Sequence, residues 1–166
     1  PDALVLVETR TPSFRADRIN RRSRLTERAC VEALGFSGGI WLLWDPYVVD
    51  VEIISENRQI LNAIVKHNDK EWLLSAVYAS PEKALRKRLW EYIIQLGSQM
   101  RFPWLITGAL NEILSSEEKL GGKPFSLSGQ LSLVDCVQNC GLIDLGFNGP
   151  ALTWSNGMKG TANVRK

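Results

Sequence analysis

Three strand-like apolar segments of this 166-residue chain end in polar side chains that could act on a phosphate group. Glu8 follows the first apolar segment, Tyr78 ends the fifth, and Asn111 follows the sixth. If these ends converge, the site holds one carboxylate, one phenol and one amide. A carboxylate oxygen suits Mg²⁺ rather than Zn²⁺, and phenol and amide groups donate hydrogen bonds to phosphate oxygens. This inventory favours metal-assisted phosphodiester hydrolysis over acyl transfer, which needs a serine or cysteine beside a usable histidine.

Each of these residues also has a purely structural interpretation. The segment that starts at Trp104 is equally typical of a buried core strand followed by an ordinary turn. Tyr78 fits a strand residue whose hydroxyl is satisfied, and Glu8 fits a salt-bridge partner. His67 is the single histidine, and its place in a polar hairpin turn does not favour a catalytic role.

The hydrophobic pattern predicts the elements that must position these side chains. Strands are expected at 3–7, 40–44, 48–55, 59–66 and 71–78 and from Trp104 onward, the first and last of them buried. Helices are expected at 80–100 and 128–139, with a short one near 25–34, and short strands at 142–144 and 152–154. The fold class is therefore α/β of the α+β type. We expect a layered α/β sandwich, with two mainly antiparallel sheets packed face to face and helices outside.

Charge and composition limit the partners. The length fits a single domain over 1–166, and the net charge is only +2. Residues 10–28 carry seven arginines against Asp17 and Glu27, a local excess that suits phosphate but is equally typical of a solvated loop or helix. Three cysteines give no disulfide framework, which favours a reducing compartment, nuclear or cytoplasmic. No apolar run approaches the ~20 residues of a membrane span, and no secretory signal is seen.

Several short motifs carry a resemblance to a known family. The stretch Pro1-Asp-Ala-Leu-Val-Leu-Val-Glu-Thr-Arg10 resembles the metal-binding motif of the endonuclease/exonuclease/phosphatase family. Trp104-Leu-Ile-Thr-Gly-Ala-Leu-Asn111 is similar to that family's Gly-Asp-Phe-Asn motif. Five further stretches resemble the endonuclease domain of plant-type LINE, or non-LTR, retrotransposons: 37–41, 111–114, 118–122, 140–147 and 152–156.

The resemblance implies a role for each matching residue. Glu8 would bind Mg²⁺ (or Mn²⁺), Tyr78 would hydrogen-bond the scissile phosphate, and Asn111 would stabilise the charge that builds on it. Thr153 and Trp154 would lie in a loop region that faces DNA. Arg10 is a candidate phosphate contact from its charge alone. The implied protein is a monomeric DNA endonuclease domain within a larger polypeptide that carries a reverse transcriptase.

Departures from the family pattern predict impaired chemistry. Ala109 stands where the family has the Asp that orients or deprotonates water, and Leu110 replaces the neighbouring Phe. The chain begins after the strand that would supply the family's first Asn and ends before its closing Ser-Asp-His segment, so we expect a domain incomplete at both ends. One alternative is a catalytically dead nucleic-acid-binding remnant. A phosphatase of the same fold is a weaker alternative, because the Arg-rich segment and the retroelement-like motifs argue against it.

Overall fold

A computed structural model describes residues 1–20, 23–124, 132–146 and 148–166. The strands are β1 (Ala3–Val7), β2 (Glu27–Val31), β3 (Ile40–Trp44), β4 (Asp50–Asn57), β5 (Ile60–His67), β6 (Lys70–Tyr78) and β7 (Trp104–Ala109). The α-helices are α1 (Asp17–Asn20), α2 (Lys83–Ser98) and α3 (Leu133–Cys140). Short 3₁₀ turns lie at Ser13–Ala16, Ser116–Glu118 and Gly160–Ala162.

The strands form two sheets that differ in the relative direction of their strands. The first has the order β1-β3-β2 and is antiparallel throughout. The second has the order β4-β5-β6-β7, in which β4, β5 and β6 form an antiparallel meander and β7 runs parallel to β6. The parallel pair follows from α2, which lies between β6 and β7 in the chain and supplies the long crossover that parallel strands require.

The hydrophobic core lies between the two sheets. β3 contributes to this core with one of its faces only, because alternate side chains of a strand point to opposite faces. Leu42 and its neighbours on one face join a cluster with the second sheet, while Trp41 and Leu43 pack on the other face against Ala16 and Leu25. The inter-sheet cluster consists of Val31, Ile40, Leu42, Trp44, Val49, Leu61, Ala63, Val65, Leu74, Ala76 and Tyr78. The predicted face-to-face sandwich of mainly antiparallel sheets is confirmed.

A buried polar network crosses the second sheet and ties its four strands together. The indole Nε1 of Trp104 donates to Ser75 Oγ at 2.9 Å, and Ser75 Oγ donates to Asn62 Oδ1 at 2.6 Å. Asn62 Nδ2 in turn donates to Ser55 Oγ at 3.0 Å. Because Ser75 and Asn62 are fully buried, a slip in register would leave polar atoms unpaired, so the network specifies the alignment of β7 on β6.

Two predicted buried strands are only half-buried. All five residues of β1 are partly exposed, and β7 has four partly buried and two exposed residues. In the described part of the chain β1 pairs with β3 alone and β7 with β6 alone, so both are edge strands. The prediction of burial for these two strands was therefore wrong, because an apolar run does not reveal how many neighbours a strand has.

Three other predicted elements were also wrong. The segment predicted as a helix near 25–34 contains β2, which pairs along its whole length with β3. No strand forms at 142–144 or 152–154. Instead, the backbone N–H groups of Thr153 and Trp154 both donate to the Lys166 carbonyl. The two long helices were predicted correctly in kind. The second was expected to start at 128, but α3 begins at Leu133, and residues 128–131 lie outside the described residues.

The chain divides into two compact units. The first comprises residues 1–89 and 99–111 and contains both sheets. The second comprises residues 90–98 and 112–166 and contains α3, which is capped by reciprocal bonds between Ser132 and Asp135. These bonds to Ser132 lower the pKa of the Asp135 carboxyl. Burial raises the pKa of the Cys136 thiol on α3 to about 12, which keeps it protonated at neutral pH. Within the described residues, no helix combines the length and hydropathy needed to cross a membrane.

Candidate active site

Glu8 lies where the chain leaves β1, in a backbone conformation that is uncommon for residues other than glycine. Its φ is +54°, and that of Arg10 is +50°. The Glu8 carboxylate accepts a hydrogen bond from Arg10 Nη2 at 3.0 Å. The backbone N–H of Arg10 donates to the Gly38 carbonyl at 3.1 Å. Strained residues of this kind cluster at functional sites, because the surrounding structure must hold them in place.

Gly38 and Gly39 allow the end of β1 to approach Tyr78 closely. A Cβ at Gly39 would lie 2.1 Å from Thr9 Oγ1, and a Cβ at Gly38 would lie 3.3 Å from Cε1 of the Tyr78 ring. Both glycines also have positive φ, so no other residue fits here without strain. Thr9 Oγ1 is buried and has no hydrogen-bond partner in the described structure.

Tyr78 ends β6 with its ring buried and its hydroxyl beside a serine. The Tyr78 hydroxyl and Ser37 Oγ lie 3.1 Å apart, and either oxygen can be the donor. When Ser37 donates, the phenol proton is free to be given to another acceptor, such as a phosphate oxygen. The side chain therefore has a structural partner and keeps the capacity for a second hydrogen bond.

The end of β7 lies directly beside Tyr78. Gly108 has φ +134°, and a Cβ there would lie 2.0 Å from the Val77 carbonyl oxygen, so only glycine permits this approach. Ala109 is the pairing partner of Tyr78, and its carbonyl accepts a bond from the Ala79 N–H at 2.8 Å. Asn111, with φ +50°, donates from Nδ2 to the Ala79 carbonyl at 2.7 Å. One proton of that amide is used in this bond, and the second remains for a ligand.

These contacts form a continuous series from Glu8 to Asn111 within the first unit. Glu8 contacts Arg10, Arg10 contacts Gly38, Gly38 lies against Tyr78, and Tyr78 is paired with Ala109. The four non-glycine residues with positive φ in the described chain include Glu8, Arg10 and Asn111. The strand ends singled out in the sequence are thus joined at one edge of the sandwich.

Thr153 and Trp154 belong to the second unit, and both are exposed. The Lys166 ammonium lies 5.8 Å from the centroid of the Trp154 ring, a favourable cation–π distance. An indole and a lysine together offer a stacking surface and a positive charge. Their role towards DNA stays a prediction.

The side chains at the strand ends supply only part of the ligand set that Mg²⁺ needs. Glu8 supplies one carboxylate, Ala109 supplies none, and no group of three His, Cys, Asp or Glu residues is gathered among the described residues. Mg²⁺ characteristically takes one or two protein carboxylates and completes its shell with water and substrate phosphate oxygens. Glu8 meets that minimum, with the Arg10 guanidinium as a competitor for the same oxygen.

Sequence reasoning missed Ser37 and the role of the two glycines after it. The segment from Ser37 to Gly39 was predicted to be a turn, whereas in the structure the turn lies at Gly35-Phe36 and Ser37 closes it. What the turn contacts could not be inferred, because Tyr78 lies 41 residues away along the chain. The signal that could have found it is the pair of glycines before a fully buried strand, since such pairs often mark a close backbone approach.

Comparison with known proteins identifies the fold. No protein-family model matches the sequence, and no curated protein matches it. Among solved structures, the chain is similar to D. rerio TDP2 complexed with a single-strand DNA product, with a TM-score of 0.50 and 14% identity. That match covers 88% of this chain and 54% of the TDP2 chain. At 14% identity this likeness shows the fold alone: the chain shares the fold of TDP2.

Two other solved structures show a weaker likeness. A humanized D. rerio TDP2 with 14 mutations gives a TM-score of 0.49 at 14% identity. The human Nocturnin catalytic domain with a bound sulfate anion gives 0.45 at 10% identity. Each match covers 67% of this chain and 52% of the other. The chain therefore spans about half the length of the structures that it resembles.

Proposed function

We propose that this chain is part of a nucleic-acid phosphodiesterase domain of the non-LTR retrotransposon endonuclease type, with hydrolysis impaired at Ala109. The observation that carries the proposal is the position of Ala109 next to Tyr78, at the strand end that also bears Asn111. The fold shared with TDP2 and the single-strand DNA product in that structure support a nucleic-acid strand as the ligand. That this chain belongs to a larger polypeptide that carries a reverse transcriptase is part of the same proposal.

In this proposal the side chains at the strand ends bind one phosphate group. Tyr78 and Asn111 donate hydrogen bonds to its oxygens, and Arg10 adds positive charge. Glu8 would hold Mg²⁺ or Mn²⁺ together with phosphate oxygens, and the ion would neutralise charge on the phosphate. Binding and orientation of the strand are thus retained by residues that the chain still has.

Ala109 removes the group that would act on water. A methyl side chain cannot accept a proton or orient a water molecule, and loss of a general base costs about 10²- to 10⁴-fold in rate. An aspartate at this position would project from the backbone that pairs with Tyr78. The defect at this position is therefore local, and a substitution of Ala109 in a chain extended at both ends should reveal it.

Nicking of supercoiled plasmid in the presence of Mg²⁺ tests the proposal. The comparison is made in a chain extended at both ends, so that it includes the family's first Asn and closing Ser-Asp-His segment. There we expect Ala109→Asp to nick at least about 10²-fold faster than the same extended chain with Ala109, with all activity lost on addition of EDTA. Ala109→Asn is the matched control, because it has the same size without a basic carboxylate, and it should stay inactive. EDTA-sensitive nicking at the same rate by the extended chains with and without Ala109→Asp, or by the 166-residue chain itself, would contradict the assigned defect.

A catalytically dead nucleic-acid-binding module is the second candidate. It is favoured by Ala109 and by the ion pair of Arg10 with Glu8, which offsets the one carboxylate of the site. If Ala109→Asp binds DNA but remains inactive with Mg²⁺ and with Mn²⁺, this second function is the correct one. Absence of DNA binding by any variant would exclude both.

A further inference from the structure

An exposed phenylalanine lies at a tight turn beside the candidate site. The backbones of Leu34 and Ser37 form hydrogen bonds in both directions, at 2.9 and 3.2 Å, and enclose the two-residue turn Gly35-Phe36. Gly35 has φ +59°, as turns of this type require. Phe36 is 93% exposed. A single exposed apolar ring is common on protein surfaces. Phe36 differs from the other exposed apolar side chains in its position, next to the residue that hydrogen-bonds to Tyr78.

The turn is attached to the candidate site by three contacts. Ser37, the next residue, hydrogen-bonds to the Tyr78 hydroxyl. Gly38 lies against the Tyr78 ring, and its carbonyl accepts the backbone N–H of Arg10. Consecutive Cα atoms are about 3.8 Å apart, so the Phe36 Cα lies within about 10 Å of the Tyr78 hydroxyl. The aromatic ring is therefore presented on a rigid support rather than on a free loop.

The chemistry around Phe36 favours a nucleobase as its partner. Arg10 is exposed beside the turn, and the exposed pair Phe14-Arg15 belongs to a segment whose Ser13 N–H donates to the Glu32 carboxylate, close to the turn in sequence. Aromatic rings interleaved with arginines are typical of surfaces that stack bases and neutralise phosphates. Leu34 is also exposed, so the turn itself carries two apolar side chains. The arginines that flank the turn favour an anionic partner, for which the aromatic ring offers a stacking face.

We propose that Phe36 stacks on an unpaired base of a single-stranded nucleic acid whose adjacent phosphate lies at Tyr78. This rests on the proposed function and adds the class of strand that the site accepts. Phenylalanine has no hydrogen-bonding group, so it cannot read a base edge, and bases within a duplex are already stacked on each other. The stack should therefore form only where bases are unpaired, with little dependence on sequence.

The test compares two fluorescent 12-nucleotide probes, a dT strand and an abasic strand with the same phosphates, by anisotropy titration of the whole chain. We expect Phe36→Ala to weaken dT binding by about 5- to 150-fold, the range for loss of one base–aromatic stack, and to leave abasic binding unchanged. Phe36→Trp should restore or strengthen dT binding. Tyr47→Ala is the matched control, because Tyr47 is 94% exposed and follows the opposite end of β3.

The outcomes separate this inference from the function on which it rests. Equal dT affinity of Phe36→Ala and the unchanged chain would overturn the stacking proposal, while phosphate binding would still stand if Arg10→Ala weakened both probes. If the unchanged chain bound neither probe, the proposed function would fail first. An equal loss of dT affinity in Tyr47→Ala would also overturn the stacking proposal, because the effect would then not depend on the position beside Tyr78. Circular dichroism would verify that the variants are folded, as expected for changes at exposed positions.

Discussion

At the scale of single residues, backbone conformation and hydrogen bonding single out the candidate site more clearly than charge does. Asn111 shows both features, because it combines a positive φ with a bond from Nδ2 to the Ala79 carbonyl. Asparagine tolerates this conformation better than most residues. Sequence analysis singled out Asn111 for its amide group, so one side chain serves both the backbone geometry and the proposed chemistry.

Substitutions at Asn111 should separate these two contributions. Asn111→Gly and Asn111→Ala both lose the bond to the Ala79 carbonyl, which should cost about 1 kcal/mol in the free energy of unfolding. Alanine must also adopt φ near +50°, so we expect it to be a further ~1 kcal/mol less stable than glycine. Urea unfolding, monitored by tryptophan fluorescence, measures the free energy of unfolding of both variants. Equal stability of the two variants would show that the local backbone can relax.

At the scale of elements, the parallel contact of β7 with β6 decides where the candidate site lies. It places Ala109 opposite Tyr78, and it depends on Gly108, whose missing side chain leaves room for the Val77 carbonyl. The buried bond from Trp104 to Ser75 at the other end of β7 keeps the same register. The strand ends of the site are therefore aligned by contacts at both ends of one strand pair.

Gly108→Ala should disrupt that pair. A Cβ only 2.0 Å from a carbonyl oxygen forces the strands apart, so we expect a loss of about 3 kcal/mol or more in the free energy of unfolding. Gly35→Ala is the control, because Gly35 also has positive φ but has open space around its Cα, and it should lose only about 1 kcal/mol. Chemical denaturation of both variants tests the difference. Similar losses would mean that strain at φ, and not the clash with Val77, dominates.

At the scale of the whole molecule, charge is distributed unevenly rather than being high. The net charge of +2 would support little binding to a polyanion, whereas the segment 10–28 holds seven arginines. Part of that charge is used within the protein, since Arg28 pairs with Asp17 and Arg10 with Glu8. Binding should thus depend on a few positions and not on the total charge.

The salt dependence of single-strand DNA binding tests this distribution. For each arginine that contacts a phosphate, Arg→Ala should reduce the slope of log Kobs against log salt by about 0.7. We expect this change for Arg10→Ala and for Arg15→Ala. Lys70→Ala should leave the slope unchanged, because Lys70 is exposed at the start of β6, the opposite end from Tyr78. Equal slopes for all three variants would place the phosphate contacts elsewhere.

The sequence alone determined most strands, both long helices and the sandwich class, because alternation and apolar runs are local signals. It could not determine that 27–31 is a strand. Residues such as Leu25, Glu27 and Ala29 favour a helix locally, and only pairing with β3 overrides that preference. It also could not determine that β1 and β7 are half-exposed, because burial depends on neighbours that lie far along the chain.

The sequence selects the residues of the candidate site, whose roles stay predictions, but it does not determine their contacts. Glu8, Tyr78 and Asn111 stand out in the sequence because each is a polar residue at the end of an apolar segment. The contacts that join them run through Gly38 and Ala79, whose side chains carry no chemical signal. Only the tertiary structure decides such contacts, since they arise where two sheets meet and no periodic pattern in the chain encodes that distance.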